Sequence, residues 1–353
     1  MLQKYLNKLE YDKIVDLVSN YCSTYIGQNF ATSMLPSNDS DLVKTKLSET
    51  NLALILLFRK GEPSFSNITN IEVYIKNLES YNTISAKALL DVAHVLQTSR
   101  LLHEYFFADD SFDLSEFSLL ENYFSILYYK ENIEKNILRS IIDEDTIADD
   151  ASKNLLSLRK NKHKLEQDVR DKLSNFIHSS SYSKYIMDSI VTIRNDRFVI
   201  PVKEEFKDNI SGAILDVSAS GSTVYIEPSA IFELNNKINV IKAEEAIEIE
   251  KILKNLSLSL FPIADKLRVA LEAIGQIDFI FARAKYSRKI DGILPQISDK
   301  KEIHLLGARH PLINPDVVVP VDISIGDKYT SLLITGPNTG GKTVSLKTVG
   351  LFC

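Results

Sequence analysis

The chain has 353 residues, 44% of them hydrophobic and 25% charged, enough for two or three domains with cores of their own, and this composition excludes disorder as the default. A formal net charge of −6 argues against an arm that grips nucleic acid by bulk electrostatics, but leaves room for a local basic patch. Cys22 and Cys353 have no metal-ligand spacing and form no disulfide framework, the N-terminus lacks the apolar run of a signal peptide, and the apolar stretch at 52–58 is too short for a membrane span, so a soluble, cytoplasmic protein with no membrane partner is expected.

Residues 1–145 read as helix after helix. Leu6, Leu9, Ile14, Leu17 and Val18 recur at three- and four-residue intervals, as one face of an amphipathic helix does. SNDSDLVKTKLSETNLALILLFRKG follows, with Asp39 or Ser40 as the N-cap and Gly61 as the stop. Ser85 is a cap for a further helical run, and frequent Tyr and Phe over 105–129 suggest an aromatic-rich core.

From about Ile147 the pattern narrows. Leu155, Leu158, Lys162, Leu165, Val169, Leu173 and Phe176 make a thin stripe suited to one partner helix. A second stripe runs through Leu234, Ile238, Ile241, Ile249, Ile252, Leu256, Leu260, Ile263 and Leu267; Glu245 interrupts it, and its drift in spacing does not support a strict heptad. The two stripes predict an antiparallel pair of helical arms.

The insert between them is β-rich. SIVTIRNDRFVIPVK holds two strand-like runs around the turn dipeptide Asn195-Asp196, and GAILDVSASGSTVYIEP holds two more, parted by Ser218–Ser222. Residues 189–230 are expected to form a small antiparallel module at the tip of the arms. From about Gln296, HLLGARHPLI and VVVPVDISIG read as strands. SLLIT reads as a short apolar strand entering a glycine-rich loop, and Thr343–Leu351 as the helix after it.

That loop fits G-x-x-x-x-G-K-[ST] through Gly336, Gly341, Lys342 and Thr343, with Pro337, Asn338, Thr339 and Gly340 between. Glycines let backbone N–H groups curl around phosphate oxygens, and the following helix presents its positive end to them. Lys342 is placed to reach the β- and γ-phosphates of ATP, and the Thr343 hydroxyl to ligate Mg²⁺. Other charged residues leave alternatives open. Arg159, Lys160, Lys162 and Lys164, near Lys153, are a solvated helix face or a phosphate-tracking surface. Arg194 and Arg197, flanking the Asn195-Asp196 turn, are structural ion pairs or contacts to a nucleic-acid backbone. His310, before Pro311, is expected to be structural. Neither Asp143-Glu144-Asp145 nor Asp149-Asp150 makes a nuclease constellation.

TGPNTGGKT resembles the phosphate loop of the MutS family of ATPases, and ARHPLI resembles the His-Pro element that opens their ATPase domain. RNDRFVIPVK, SASGSTVYIEP, ELNNKI and LEYDKIVDLVSNYCSTYIGQ resemble segments of one branch, MutS-II. The resemblance extends from the first helix to the last residue and implies a mainly α fold with a small β insertion. Its parts are a helical core over 1–146, an ascending lever helix over 147–188, a β clamp over 189–230, a descending lever over 231–295, and the truncated start of an α/β P-loop ATPase domain over 296–353.

The same resemblance implies an ATP-hydrolysing homodimer. Its expected partners are DNA, branched or duplex, and the ribosome with its rRNA, with roles in suppressing recombination or rescuing collided ribosomes. It also implies a C-terminal Smr domain with endonuclease activity. The catalytic residues are then unknown and lie beyond Cys353, and residues 1–353 alone are expected to bind ATP weakly and not hydrolyse it. No Phe-x-Glu wedge stands near the start, as expected of a branch without a mismatch-reading domain. The aliphatic run Val317–Val319 replaces an aromatic that packs on adenine in the repair branch. Two other readings compete: a structural helical adaptor with a non-hydrolysing loop, and an SMC-like coiled-coil ATPase, against which chain order speaks.

Overall fold

The computed structural model describes residues 2–65, 68–109, 113–336 and 341–353. In chain order it runs through α1 (Leu2–Leu9), α2 (Tyr11–Ser19), α3 (Tyr25–Thr32), α4 (Ser40–Lys60), α5 (Glu72–Glu79), α6 (Ala86–Phe107), α7 (Ser118–Ser125) and α8 (Glu131–Ser140). There follow α9 (Lys153–His178), β1 (Thr192–Arg194), β2 (Arg197–Lys203), β3 (Gly212–Val217), β4 (Thr223–Pro228) and α10 (Phe232–Leu260). The chain continues with α11 (Ala264–Lys289), β5 (Ile303–Ala308), β6 (Val321–Ile325) and α12 (Lys342–Phe352). The fold is mainly α with a small antiparallel sheet, as the sequence predicts. Two compact units are formed: Met1–Tyr81, Asp91–Lys135 and Leu260–Cys353 make one, and Asn82–Leu90 with Asn136–Ser259 the other.

In the first unit α11 is the central helix. Its Ala270, Ala273, Ile274, Ile277, Ile280, Phe281, Ala282 and Ala284 are all buried, so apolar side chains surround it on several faces rather than along one stripe. Small residues let α3 come very close: a Cβ on Gly275 would stand 2.1 Å from Ile26 Cγ2, and one on Gly27 2.3 Å from Asp278 Oδ2. Phe106 and Phe124 stack at 4.4 Å, and Tyr105 meets Phe281 edge-on at 6.0 Å, which is the aromatic core that the composition over 105–129 suggests. Asp39 caps α4 by accepting from the backbone of Asp41 and Leu42 at 3.1 Å, and Gly61 ends that helix at φ 77°. A charged cluster gathers on the buried Glu49, which accepts from Arg283 at 3.0 Å, Tyr123 at 2.8 Å and Lys46 at 2.9 Å.

The span 231–295, expected as one descending arm, is two helices. Pro262 has no N–H to continue the helical ladder, and a 3-10 turn over Phe261–Ile263 divides α10 from α11. The stripe through Ile263 and Leu267 therefore belongs to the core of the first unit and not to the arm pair.

In the second unit α9 and α10 are antiparallel. Ser152 and Asn154, at the start of α9, donate to Glu248 at 2.7 and 2.9 Å, while Arg159 donates to the earlier Glu245 at 2.7 Å. Val169, Leu173 and Ile177 share a core with Ile231 and Ile238, and Phe198, Ile200, Val202, Val224 and Ile226 of the sheet close it. The sheet thus sits at the C-terminal end of α9 and the N-terminal end of α10.

Its strand order is β1-β2-β4-β3, antiparallel throughout. Asn195 and Asp196 have φ of 49° and 61°, so β1 and β2 are joined by the two-residue primed turn that matches strand twist. Strand β2 is buried on both faces, since Val199 and Pro201 are covered as well as Phe198, Ile200 and Val202. The sheet curls to do this. Although β1 and β3 are opposite edges, Asn195 Nδ2 reaches the carbonyl of Leu215 at 3.1 Å, where β3 bulges.

Candidate functional site

The phosphate-loop candidates open α12. Gly341 is its N-cap at φ 80° and Gly336 stands at φ 139°, two conformations that side chains rarely adopt. Open space surrounds both: a Cβ at either would have no heavy atom within 4 Å. Ser345 returns its backbone N–H to the Gly341 carbonyl at 2.9 Å, which closes the first helical turn. Among the described residues, neither Lys342 nor Thr343 makes an ion pair or a side-chain hydrogen bond, so both side chains are uncommitted. Pro337, Asn338, Thr339 and Gly340 lie outside the described residues.

The approach to this loop differs from expectation. SLLIT, 331–335, forms no strand, and Leu332 and Leu333 are 51% and 86% exposed. A central strand needs ladder partners on both sides, and none pairs with this run among the described residues. The preceding segment keeps only the hairpin β5–β6, with Ile303 opposite Ile325; Val317 and Val319 stay outside it and exposed.

Helix α12 docks on the first two helices. Lys347 donates to Glu10 Oε2 at 2.5 Å, and Leu9 Cδ2 lies 2.7 Å from where a Cβ on Gly350 would be. Hydrogen bonds from Lys13 and Lys347 pull the Glu10 carboxyl down to about 2. His310 is buried and accepts at Nδ1 from Leu312 N at 3.3 Å; burial, then the nearby Lys347, depress its pKa. It is placed as a structural residue.

The basic candidates of the second unit separate into two groups. Arg159 pairs with Glu245 and Asp149 and donates to the Ile147 carbonyl, and Lys162 pairs with the same Glu245. Burial alone would raise the Glu245 carboxyl, but these two cations bring it below its ordinary value. The charge that interrupts the apolar stripe of α10 is therefore the receptor for two of the four candidate cations, Arg159 and Lys162. Lys160 and Lys164 are exposed and make no ion pair among the described residues.

Arg197 is held internally. It donates to Glu227 at 2.7 Å and to Asn236 at 2.6 Å, and lies 5.3 Å from the Phe232 ring centroid. Asn235 completes the network: it donates to Glu227 at 2.8 Å and exchanges two hydrogen bonds with the backbone of Phe198. Arg194 is half-buried, 3.1 Å from Asp216 and 4.2 Å from the Tyr225 ring centroid. Glu227, Asn235 and Asn236 carry no reactive signature in sequence. Their signal is two adjacent amides just inside α10, where a helix former is the ordinary choice.

No group of three or more His, Cys, Asp or Glu residues able to hold a metal occurs among the described residues, and no helix there is long and apolar enough to cross a membrane. These features define a class: a helical protein with an antiparallel helix pair, a small β module at one end of that pair, and a glycine-flanked loop opening a helix.

No family model matches the chain. Curated relatives do. The Endonuclease MutS2 of Ruminiclostridium cellulolyticum is 40% identical over 352 residues, covering 100% of this chain and 44% of that protein. Its counterpart in Acetivibrio thermocellus is 39% identical over 352 residues with the same coverage, and that of Geobacillus sp. (strain WCH70) is 40% identical over 351 residues, 99% of this chain and 45% of that protein. The chain belongs to the MutS2 branch of the MutS family. It spans less than half the length of these relatives.

Proposed function

We propose that this chain carries the nucleotide-binding loop and the nucleic-acid-binding arms of an ATP-dependent DNA-binding protein. The observation that supports this best is the opening of α12. Gly336 and Gly341, both at positive φ and with no heavy atom within 4 Å of a Cβ placed there, border the candidate loop, and the uncommitted Lys342 and Thr343 begin the helix. Such a cradle suits a triphosphate: backbone N–H groups and the helix N-terminus meet anionic oxygens, Lys342 neutralises them, and the Thr343 hydroxyl holds Mg²⁺. Bound Mg·ATP supplies a cleavable phosphoanhydride and so a source of directional change.

In this reading α9 and α10 act as levers and the β sheet as a clamp. ATP acts on them only through different affinities for open and closed arrangements. Lys160 and Lys164 are the phosphate-tracking candidates, because Arg159, Lys162 and Arg197 are engaged within the protein. The full-length protein works as a homodimer with ATPase activity, and the relatives bear the name endonuclease. We extend that activity to it through residues other than 1–353. Branched DNA is the partner that this reading favours, with the collided ribosome and its rRNA as the second.

Lys342→Ala in the full-length protein tests the central point. ATP binding and hydrolysis should both be lost, and an unchanged ATP titration would overturn the assignment. Crosslinking the full-length protein in cells and identifying the bound nucleic acid decides between DNA and ribosome.

A further inference from the structure

Glu10 occupies the corner between α1 and α2 at φ 57°, in the left-handed region that favours glycine. A charged residue held in that conformation points to surroundings that over-determine it. Its two carboxylate oxygens are divided: Oε1 takes Lys13 of α2, and Oε2 takes Lys347 of α12, each at 2.5 Å. One turn further along α12, Gly350 lets Leu9 of α1 approach the helix backbone.

Thr343, Lys347 and Gly350 follow one another at four- and three-residue spacing, so they lie along a single stripe of the helix. Two of the three are fixed against the α1–α2 corner. An ion pair combined with a steric contact a turn away restrains both the rotation and the axial position of a helix, which a lone surface pair does not. The rotation of α12 in turn sets where Lys342 and Thr343 point.

We propose that Glu10 is a positioning residue for nucleotide: through Lys347 it locks α12 in the rotation that presents Lys342 and Thr343 to the phosphates. The proposal rests on the phosphate-loop reading of Lys342 and Thr343. Glu10 itself touches no phosphate. Its removal frees the helix to turn, which displaces Lys342 and Thr343 together from the positions that meet the phosphates and so weakens binding.

The test uses full-length protein carrying Glu10→Lys, Lys347→Glu, or both. ATP affinity is read by titration with a fluorescent ATP analogue, and KM and kcat by steady-state hydrolysis. Each single variant should weaken affinity and raise KM by about tenfold while kcat changes less. The double variant should recover toward wild type, because the new glutamate then faces both the new lysine and Lys13. Wild-type affinity in the single variants, or no recovery in the double, overturns the proposal. If Glu10→Lys does not fold, Glu10→Gln keeps the shape and removes the charge, and wild-type affinity in that variant overturns the proposal equally. Lys342→Ala is run alongside. Should it leave ATP binding intact, the phosphate-loop reading itself fails, an outcome separate from any result at Glu10.

Discussion

Thr24 donates to Asp278 twice, through its backbone N–H and through its hydroxyl, both at 2.7 Å to Oδ2. Ser23 N–H supplies a third bond, at 2.9 Å to Oδ1, and the Thr24 hydroxyl in turn accepts from Gly27 N–H at 3.0 Å. A fully buried carboxylate on α11 thus gathers the start of α3, and Gly27 is the residue that lets the two helices come that close. Asp278→Ala leaves buried backbone donors unpaired and is expected to cost about 3 kcal/mol. Gly27→Ala forces a side chain into the carboxylate and is expected to cost about 2 kcal/mol. Urea midpoints at constant m check both; wild-type midpoints would show that α3 is not tied to the core in this way.

Glu245 predicts a pH dependence for the helix pair. Its folded carboxyl titrates below the ordinary carboxylate value, held there against burial by Lys162 and Arg159. The stability it contributes is therefore present above the unfolded value and is lost as pH falls through the folded one. Glu245→Gln should be less stable than wild type at pH 7 by about 1–2 kcal/mol, since the partners are partly exposed, and the gap should close toward pH 3. A gap that stays constant from pH 7 to pH 3 would show that the pair contributes packing and no charge.

Lys160 and Lys164 should separate from Arg197 in binding experiments. Neutralising the two lysines to Gln in the full-length protein should lower the slope of log K against log salt by about 2 units on duplex DNA, one per phosphate contact. Arg197→Ala should lower the melting temperature by removing a partner from the buried Glu227, with the salt slope unchanged. The reverse pattern would place the nucleic-acid contact on the hairpin.

Much of this fold is legible in the sequence because local signals and packing agree. Asp39, Gly61, Ser85 and the Asn195-Asp196 turn act within a few residues of themselves, and a local rule reads them correctly. The stripe on α9 is legible for the same reason. The run from Leu234 to Leu267 misleads because one spacing serves more than one partner: Leu234 and Ile238 pack into the core shared with α9 and the sheet, and after Pro262 the run joins the core of the first unit. Of the basic candidates, types and spacing show cations but not their acids. Glu245 lies more than eighty residues from Arg159 and Lys162, and Glu227 thirty from Arg197, so only the tertiary fold reveals which charges are engaged.

Residues 331–335 carry the last prediction. Leu332, Leu333 and Ile334 are apolar and exposed, and the run enters the proposed phosphate loop with no ladder on either side among the described residues. A phosphate cradle works by holding its N–H groups in advance, and residues 331–335, which form no strand, give the Gly336 side of the loop no ladder anchor among the described residues. The Lys342 side is anchored through α12 and its contacts with Leu9 and Glu10. A polypeptide of residues 1–353 alone is therefore expected to bind ATP with Kd weaker than about 1 mM, less than about 4 kcal/mol of binding free energy, and to show no hydrolysis. Calorimetric titration checks this. Micromolar binding would mean that α12 and its contact with Glu10 suffice to order the loop, and that the strand contributes to turnover and not to affinity.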